Sequence, residues 1–405
     1  MRIRSLTYFC DPGWPLQQDR LGAAGNFLAQ AKSAYESGGY EVQTTRLATI
    51  PFPAMLGGYR LAQLPELAAQ LEAGIRSVGI NYASLGPASP EYRQSYELIP
   101  EALSATQNIF LAGFAADRVS GIYPSACRAC AQIISRSASI ERNGFANLRF
   151  AALANVPAGS PFFPAAYWDG FAPAFAVATE AADLAVEAFT EASSLEAGRT
   201  TLIAEIEKHA SQIEKIASEL TLALDCTFEG IDFSLAPFPA EMRSLGTAFE
   251  RLGVPKVGMH GSLAAAAILT ESIDRAVFPR AGFSGLFLPI LEDKILAERA
   301  ASGTLTLKDV LLYSAVCGTG LDTVPLPGDT SEGQLTALLI DLSALALRLD
   351  KPLTARLMPI PGKKAGDPTA FDFDFFANSR VMSLDAEELS GYLAGKDPIP
   401  LQARK

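Results

Sequence analysis

Histidine is almost missing from this sequence: 405 residues contain two, His209 and His260. A zinc centre built on several histidines is therefore excluded. Cysteine is sparse and odd in number, five in all, so no disulfide scaffold of the secreted kind is expected and the cytoplasm is the expected compartment. Clustered cations are also lacking, and Asp plus Glu outnumber Lys plus Arg by 44 to 33. Neutralising a phosphate backbone needs concentrated positive charge, so nucleic acid is not an expected partner. Apolar runs are cut by charges such as Glu180 and Asp341 well short of the ~18 residues that suggest a membrane span. The opening Met1–Cys10 stretch has no apolar core of the length a signal peptide needs.

What remains is 49% hydrophobic and 19% charged, enough apolar material for a sizeable core and too much for general disorder. At roughly 150 residues per domain the length fits two or three domains or one large barrel. Strand-like and helix-like stretches alternate throughout. Strands are expected at Ile3–Phe9, Glu41–Ala48, Val78–Tyr82, Asn108–Gly113, Arg149–Asn155, Leu222–Phe228, Phe283–Ile290 and Leu353–Met358. Strands separated by helices favour parallel pairing through crossovers. Two Ala-, Glu- and Lys-rich stretches, Ala172–Glu191 and Ala197–Leu220, have apolar spacing of i, i+3, i+4 and are read as a helical hairpin over about 172–220. Further helices are expected at Ala240–Leu252, Ser262–Val277, Leu307–Val316, Glu332–Leu349 and Asp385–Ala394. No repeat or linker divides the chain, so residues 1–405 are read as one α/β domain.

Chemistry-bearing residues concentrate in the C-terminal half. Asp225–Pro237 places Glu229, Asp232 and Ser234 at a strand end, where parallel α/β proteins build sites because their loops converge there. Glu229 and Asp232 could serve as acid and base or as oxygen ligands for Mg²⁺ or Ca²⁺, or stand as solvated loop acids. His260 precedes a helix start, where it could shuttle a proton or simply neighbour a cap. Ser284 and Gly285, in Gly282–Pro289, could let backbone approach a ligand, and a strand-edge irregularity explains the glycines equally well. Glu292 and Asp293 fit the first turn of a helix.

Thr306 with Asp309 forms a capping-box pattern, which puts Cys317 at a helix C-terminus ahead of Gly318. The negative end of a helix raises a thiol pKa, so Cys317 is read as a neutral thiol or a buried apolar residue. Asp329 with Glu332 suits an N-cap pair, whereas Asp322 has no local structural reason and is the better site candidate. Lys351 precedes a strand and Arg356 lies inside it. An Arg in an apolar strand either clamps an anion or pairs with a buried carboxylate, here Asp322 or Asp232. The Cys127–Cys130 pair lacks the second half of a zinc site, and its flanks read as helix.

Taken together, Gly230–Pro237, His260–Gly261, Gly282–Pro289 with Glu292–Asp293, Val316–Asp322 with Pro327–Thr330, and Lys351–Arg356 resemble the family called domain of unknown function 711 over nearly the whole chain. That resemblance implies a pyruvate formate-lyase-like ten-stranded α/β barrel, here with an inserted helical hairpin, and it carries no assigned reaction. Glycyl-radical enzymes of that fold use an interior-loop cysteine, to which Cys317 would correspond, and a C-terminal glycine in an Arg-Val-Ser-Gly-Tyr-like loop. Arg118–Tyr123 looks like that loop but lies in the first third, and Arg380–Ser383 has no glycine, which argues against radical chemistry.

The functional expectation is an enzyme that acts on a small anionic metabolite by hydrolysis or lyase chemistry. Lys351 and Arg356, with Ser284 and Gly285, would bind the anion. Asp232, Asp322, His260 and Cys317 would be catalytic, and Glu229, Asp232 and Asp322 would hold any metal. The alternative is a metabolite sensor or scaffold; a homo-oligomer is expected, for which the Ala-rich hairpin could supply a helix–helix interface, its charged positions fitting a solvated face equally well.

Overall fold

The structure is a computed structural model and describes residues 1–316 and 318–404. Its described strands are β1 (Arg2–Phe9), β2 (Val42–Pro51), β3 (Tyr82–Ala88), β4 (Ile109–Asp117), β5 (Gly121–Ile122), β6 (Phe150–Ala154), β7 (Ala174–Glu180), β8 (Thr227–Asp232), β9 (Gly320–Pro327) and β10 (Leu353–Ile360). They form one ten-stranded sheet in the order β8-β7-β1-β2-β3-β4-β6-β10-β9, with the short β5 paired to β4. The first half is parallel, as alternating strands and helices lead one to expect: β1, β2, β3, β4 and β6 all run the same way. Two antiparallel junctions, β1 with β7 and β6 with β10, attach two further parallel pairs, β7–β8 and β10–β9. Beyond the two outer strands, Ile231 bridges Arg280, Leu235 bridges Leu286, and Pro289 bridges Asp322 of β9, all in parallel. Residues 280–290, expected as a strand from Phe283, make these bridges without becoming one.

Burial on both faces explains the composition of the strands, which read as continuous apolar runs when neither face meets water. Neighbouring residues split between two sides. Leu111 joins the large core shared with the helices, while Ala112 joins a second cluster with Leu153, Phe162 and Phe287. Likewise Tyr8 faces the large core and Phe9 packs with Ala48, Ala174, Ala176, Phe163 and Trp168. The many strand alanines therefore have a steric purpose. Their small side chains leave room for residues 156–168, an irregular segment lying against the second face. It is tied there by Thr7 and Ser84 hydroxyls donating to the carbonyls of Pro161 and Pro164, and by the Trp168 N–H donating to Thr49. Buried backbone needs such partners, because an unpaired carbonyl would cost its full desolvation.

Several expected boundaries shift. Residues 174–180 are strand β7 and not helix, so the hairpin begins later, with helices Ala182–Glu191 and Leu195–Leu224. The run Ala174–Glu180 is fully buried, and pairing with β1 and β8 overrides the helix propensity of its alanines. β9 has no counterpart among the expected strands; its prolines Pro325 and Pro327 pair with Met358 and Ile360 of β10, and Asp322 makes the parallel bridge to Pro289. The capping box at Thr306 and Asp309 is present, but the helix ends at Tyr313. Ser331 with Gln334, rather than Asp329 with Glu332, caps the helix Glu332–Arg348. The expected helix at Asp385–Ala394 reduces to a single turn, Gly391–Ala394.

Candidate functional site

A cleft of about 100 Å³ opens where β1 to β4 begin. Its charged lining is Arg4, Arg46, Arg356 and Glu292, and its walls include Tyr82, Phe110, Phe162, Phe163, Phe373 and Phe375. Register explains how distant residues meet: Arg46 of β2 pairs with Thr7 of β1 on one side and with Tyr82 of β3 on the other. Phe162 and Phe163 arrive on the irregular 156–168 segment. Phe373 and Phe375 come from the stretch after β10, where Phe373 and Phe376 pack edge-on against Phe145 and each other, and Phe371 packs edge-on against Phe376.

Glu292 is the hub of the charges. Its Oε2 accepts from Arg4, and its Oε1 accepts from Arg356 Nη2 at 2.7 Å. Arg356 also donates from Nε to Asp322 Oδ1 at 2.5 Å. Arg356, Glu292 and Asp322 are all buried, at 4%, 5% and 1% exposure, so each charge needs its partner to offset desolvation. Burial pushes the Glu292 carboxyl up, but the flanking Arg4 and Arg356 outweigh it and hold the pKa below the usual carboxylate range. Asp322 goes the other way: burial dominates over the attraction of Arg356, the nearby Glu292 charge adds to it, and its pKa is raised. Its second oxygen, Oδ2, is buried with no hydrogen-bond partner.

Arg46 differs from the other two arginines. Among the described residues it has no carboxylate partner. Its Nε donates to Thr44 Oγ1 at 2.9 Å, and its guanidinium lies 5.0 Å from the centre of the Phe163 ring. Burial, and then repulsion by Arg4, depress its pKa. Glu292 opposes that shift from beyond ion-pairing distance, and the guanidinium stays protonated with no carboxylate in direct contact among the described residues. At the edge of the cleft, Glu180 is satisfied by Arg243 Nη2 at 2.7 Å and Gln43 Nε2 at 2.5 Å.

The expected site residues separate. Arg356 and Asp322 meet, as one of the two readings of Arg356 required. Asp232 does not join them. Its carboxylate accepts from the Ser234 hydroxyl and from the backbone N–H groups of Phe283 and Ser284, at 3.1 and 2.9 Å. A Cβ on Gly282, where φ is +60°, would lie 2.3 Å from Asp232 Oδ2, so glycine is what lets the chain wrap the acid. Ser284 spends its hydroxyl on the carbonyls of Ile231 and Ala281, and Gly285 donates to Ser234 Oγ. Both shape a turn and neither lines the cleft. Glu229 is exposed on β8, and His260 is exposed in the turn before the helix Ser262–Arg275. Lys351 lies ahead of β10, at the end that pairs with the close of β6, and is likewise outside the lining. The expectation for Cys317 falls outside the described residues. Cys127 and Cys130 are buried on the helix Pro124–Ser137, and burial pushes the Cys127 thiol up to about 12.

The three acids expected as metal ligands stand apart. Glu229, Asp232 and Asp322 do not converge, and among the described residues no three His, Cys, Asp or Glu side chains group so as to hold a metal ion. Hard divalent ions need several oxygens aimed at one point, whereas here one acid is exposed, one is enclosed by N–H and O–H donors and one faces an arginine.

Arg4, Arg46 and the aromatic walls were not anticipated. The signal was available for the two arginines, since each lies in a mostly apolar and hydroxyl strand, Arg4 with Arg2 in β1 and Arg46 with Gln43 in β2, much as Arg356 does in β10. Of the walls, Tyr82 and Phe110 stand on β3 and β4, while Phe162, Phe163, Phe373 and Phe375 come from segments 156–168 and 371–376, whose irregular sequences carry no period to place them.

Comparison with known proteins places the chain in a family. A family model described as "Uncharacterised ACR (DUF711)" matches residues 2–378. A UPF0210 protein of Pyrobaculum arsenaticum is 34% identical over 346 residues, covering 81% of this chain and 76% of its own. UPF0210 proteins of Methanocaldococcus jannaschii and Clostridium botulinum are each 27% identical, covering 94% and 96% of this chain and 88% and 90% of theirs. The chain, with its arginine-lined cleft at the start of β1 to β4, belongs to the DUF711 family of UPF0210 proteins.

Proposed function

We propose that this protein is an enzyme that takes a small anionic metabolite into the arginine-lined cleft and acts on it by hydrolysis or lyase chemistry. The observation that carries the reading is Arg46, a cation on the cleft wall with no carboxylate partner among the described residues, beside Arg4 and Arg356. An unbalanced guanidinium in a concave, partly apolar site is a ready anion receptor. Glu292, held ionised between Arg4 and Arg356, fixes their positions, and the Asp322 carboxylate accepts from Arg356 Nε on its other side.

The same reading takes the chain as one domain whose sheet closes into a pyruvate formate-lyase-like barrel. The parallel bridges from β8 through residues 280–289 to β9 support closure, because that segment would then be the remaining stave between the two outer strands.

The test is incubation of the protein, and of Arg46→Met, with a panel of small organic anions, followed by thermal-shift measurement and mass spectrometry of the ligands. The expected result is stabilisation and time-dependent consumption of at least one anion, both lost in Arg46→Met. Stabilisation without consumption would replace the enzyme with a binding protein.

A further inference from the structure

We infer that the ligand of this cleft is a monocarboxylate with a small apolar or aromatic body, an inference that rests on the anion-binding reading above and narrows it. Charge balance comes first. Arg4 and Arg356 share Glu292, and Arg356 also holds Asp322, so two cations are matched by two carboxylates. Glu180 at the cleft's edge is matched by Arg243. One positive charge, on Arg46, is left over among the described residues. A monoanion neutralises it. A dianion would carry a second charge into a partly buried site where every other cation is already paired, at the cost of desolvating that charge without compensation.

Guanidinium geometry then selects the anion's shape. With Nε committed to Thr44 Oγ1 and one face turned to the Phe163 ring, what Arg46 offers is the edge formed by its two terminal nitrogens. Two parallel N–H donors match the two coplanar oxygens of a carboxylate. The walls select the rest. Tyr82 and Phe110 meet edge to face at 5.4 Å, as do Phe110 and Phe163 at 5.4 Å, so the surface beside Arg46 is a continuous aromatic corner. A bare inorganic ion would leave that corner in water, whereas an apolar body would cover it. The space, about 100 Å³, is several times the roughly 10–15 Å³ that one water needs on the same measure, which suits a body no larger than a single ring.

The probes are benzoate, its uncharged amide benzamide, inorganic phosphate and succinate, titrated calorimetrically into the full chain and into Arg46→Met. Benzoate is expected to bind at least about tenfold more tightly than phosphate or succinate, a gap of roughly 1.4 kcal/mol. Benzamide binding should be undetectable, and benzoate binding should be lost in Arg46→Met. Because Arg46 has no ion pair to break, that variant is expected to stay folded, which its own melting curve checks. Phosphate or succinate binding more tightly than benzoate, with loss in Arg46→Met, would overturn the monocarboxylate assignment and leave the anion site standing. Equal binding of benzoate and benzamide, or binding indifferent to Arg46→Met, would overturn both readings.

Discussion

Two buried acid clusters face each other in logic. Around Asp232, a carboxylate is enclosed by the Ser234 hydroxyl and two backbone N–H groups. Around Glu292, a carboxylate is enclosed by two arginines, and a third arginine stands beside them with no carboxylate in direct contact among the described residues. The first cluster consumes all its polar capacity internally, and its product is shape: it folds residues 282–285 against the end of β8. The second has positive charge to spare, and that surplus gives it something to offer a ligand. Buried polar groups thus separate into those that build and those that bind by what is left over after their partners are counted.

Breaking the second cluster should produce the largest effect. Glu292→Gln leaves Arg4 and Arg356 buried with their shared counter-charge gone, and should cost about 3–5 kcal/mol in a urea unfolding experiment at neutral pH. Asp232→Asn should cost less, about 1–3 kcal/mol, because an amide cannot accept from every donor that now surrounds the acid. It should leave anion binding by the cleft unchanged. Equal effects of the two variants on binding would erase the distinction drawn between the clusters.

A pH series sharpens the comparison within the second cluster, since its two acids shift in opposite directions. Glu292 has a depressed folded pKa, so its contribution is present above the unfolded value of about 4.3 and is lost as pH falls through the folded pKa. Asp322 has a raised one, so its contribution is present below about 3.9 and is lost as pH rises through the folded pKa. The penalty of Glu292→Gln should therefore grow with pH from the acid side, and that of Asp322→Asn should shrink. Stability curves of the two variants and the parent across the acid range would show it, and parallel trends would contradict it. The smallest effect belongs to His260→Ala. The residue is exposed in a turn away from the cleft, so melting temperature and anion binding should both match the parent, within about 0.5 kcal/mol for stability.

How much of this was legible varied with the kind of signal. The strands β1, β2, β6 and β10 stand close to where apolar runs bounded by turn residues place them. The helix after Thr306 starts at its capping box. β7 was not legible, because an alanine-rich run has helix propensity and only its position between β1 and β8 makes it a strand. Asp232 was legible as an important acid but not as a saturated one, since its donors lie some 50 residues along the chain in Phe283 and Ser284.

By itself the sequence determined the class of protein: an α/β chain with a large apolar core and with arginines placed inside mostly apolar strands. The composition of each segment is sufficient for this, because periodicity and burial are local signals. The tertiary structure alone decided which arginine would be left without a partner. Arg4, Arg46 and Arg356 look alike along the chain, and only strand register and the arrival of Glu292 and Asp322 from other segments neutralise two of them and leave Arg46 unbalanced. Electrostatic balance is a property of where charges end up in space, over a few ångströms, and not of where they stand in the chain.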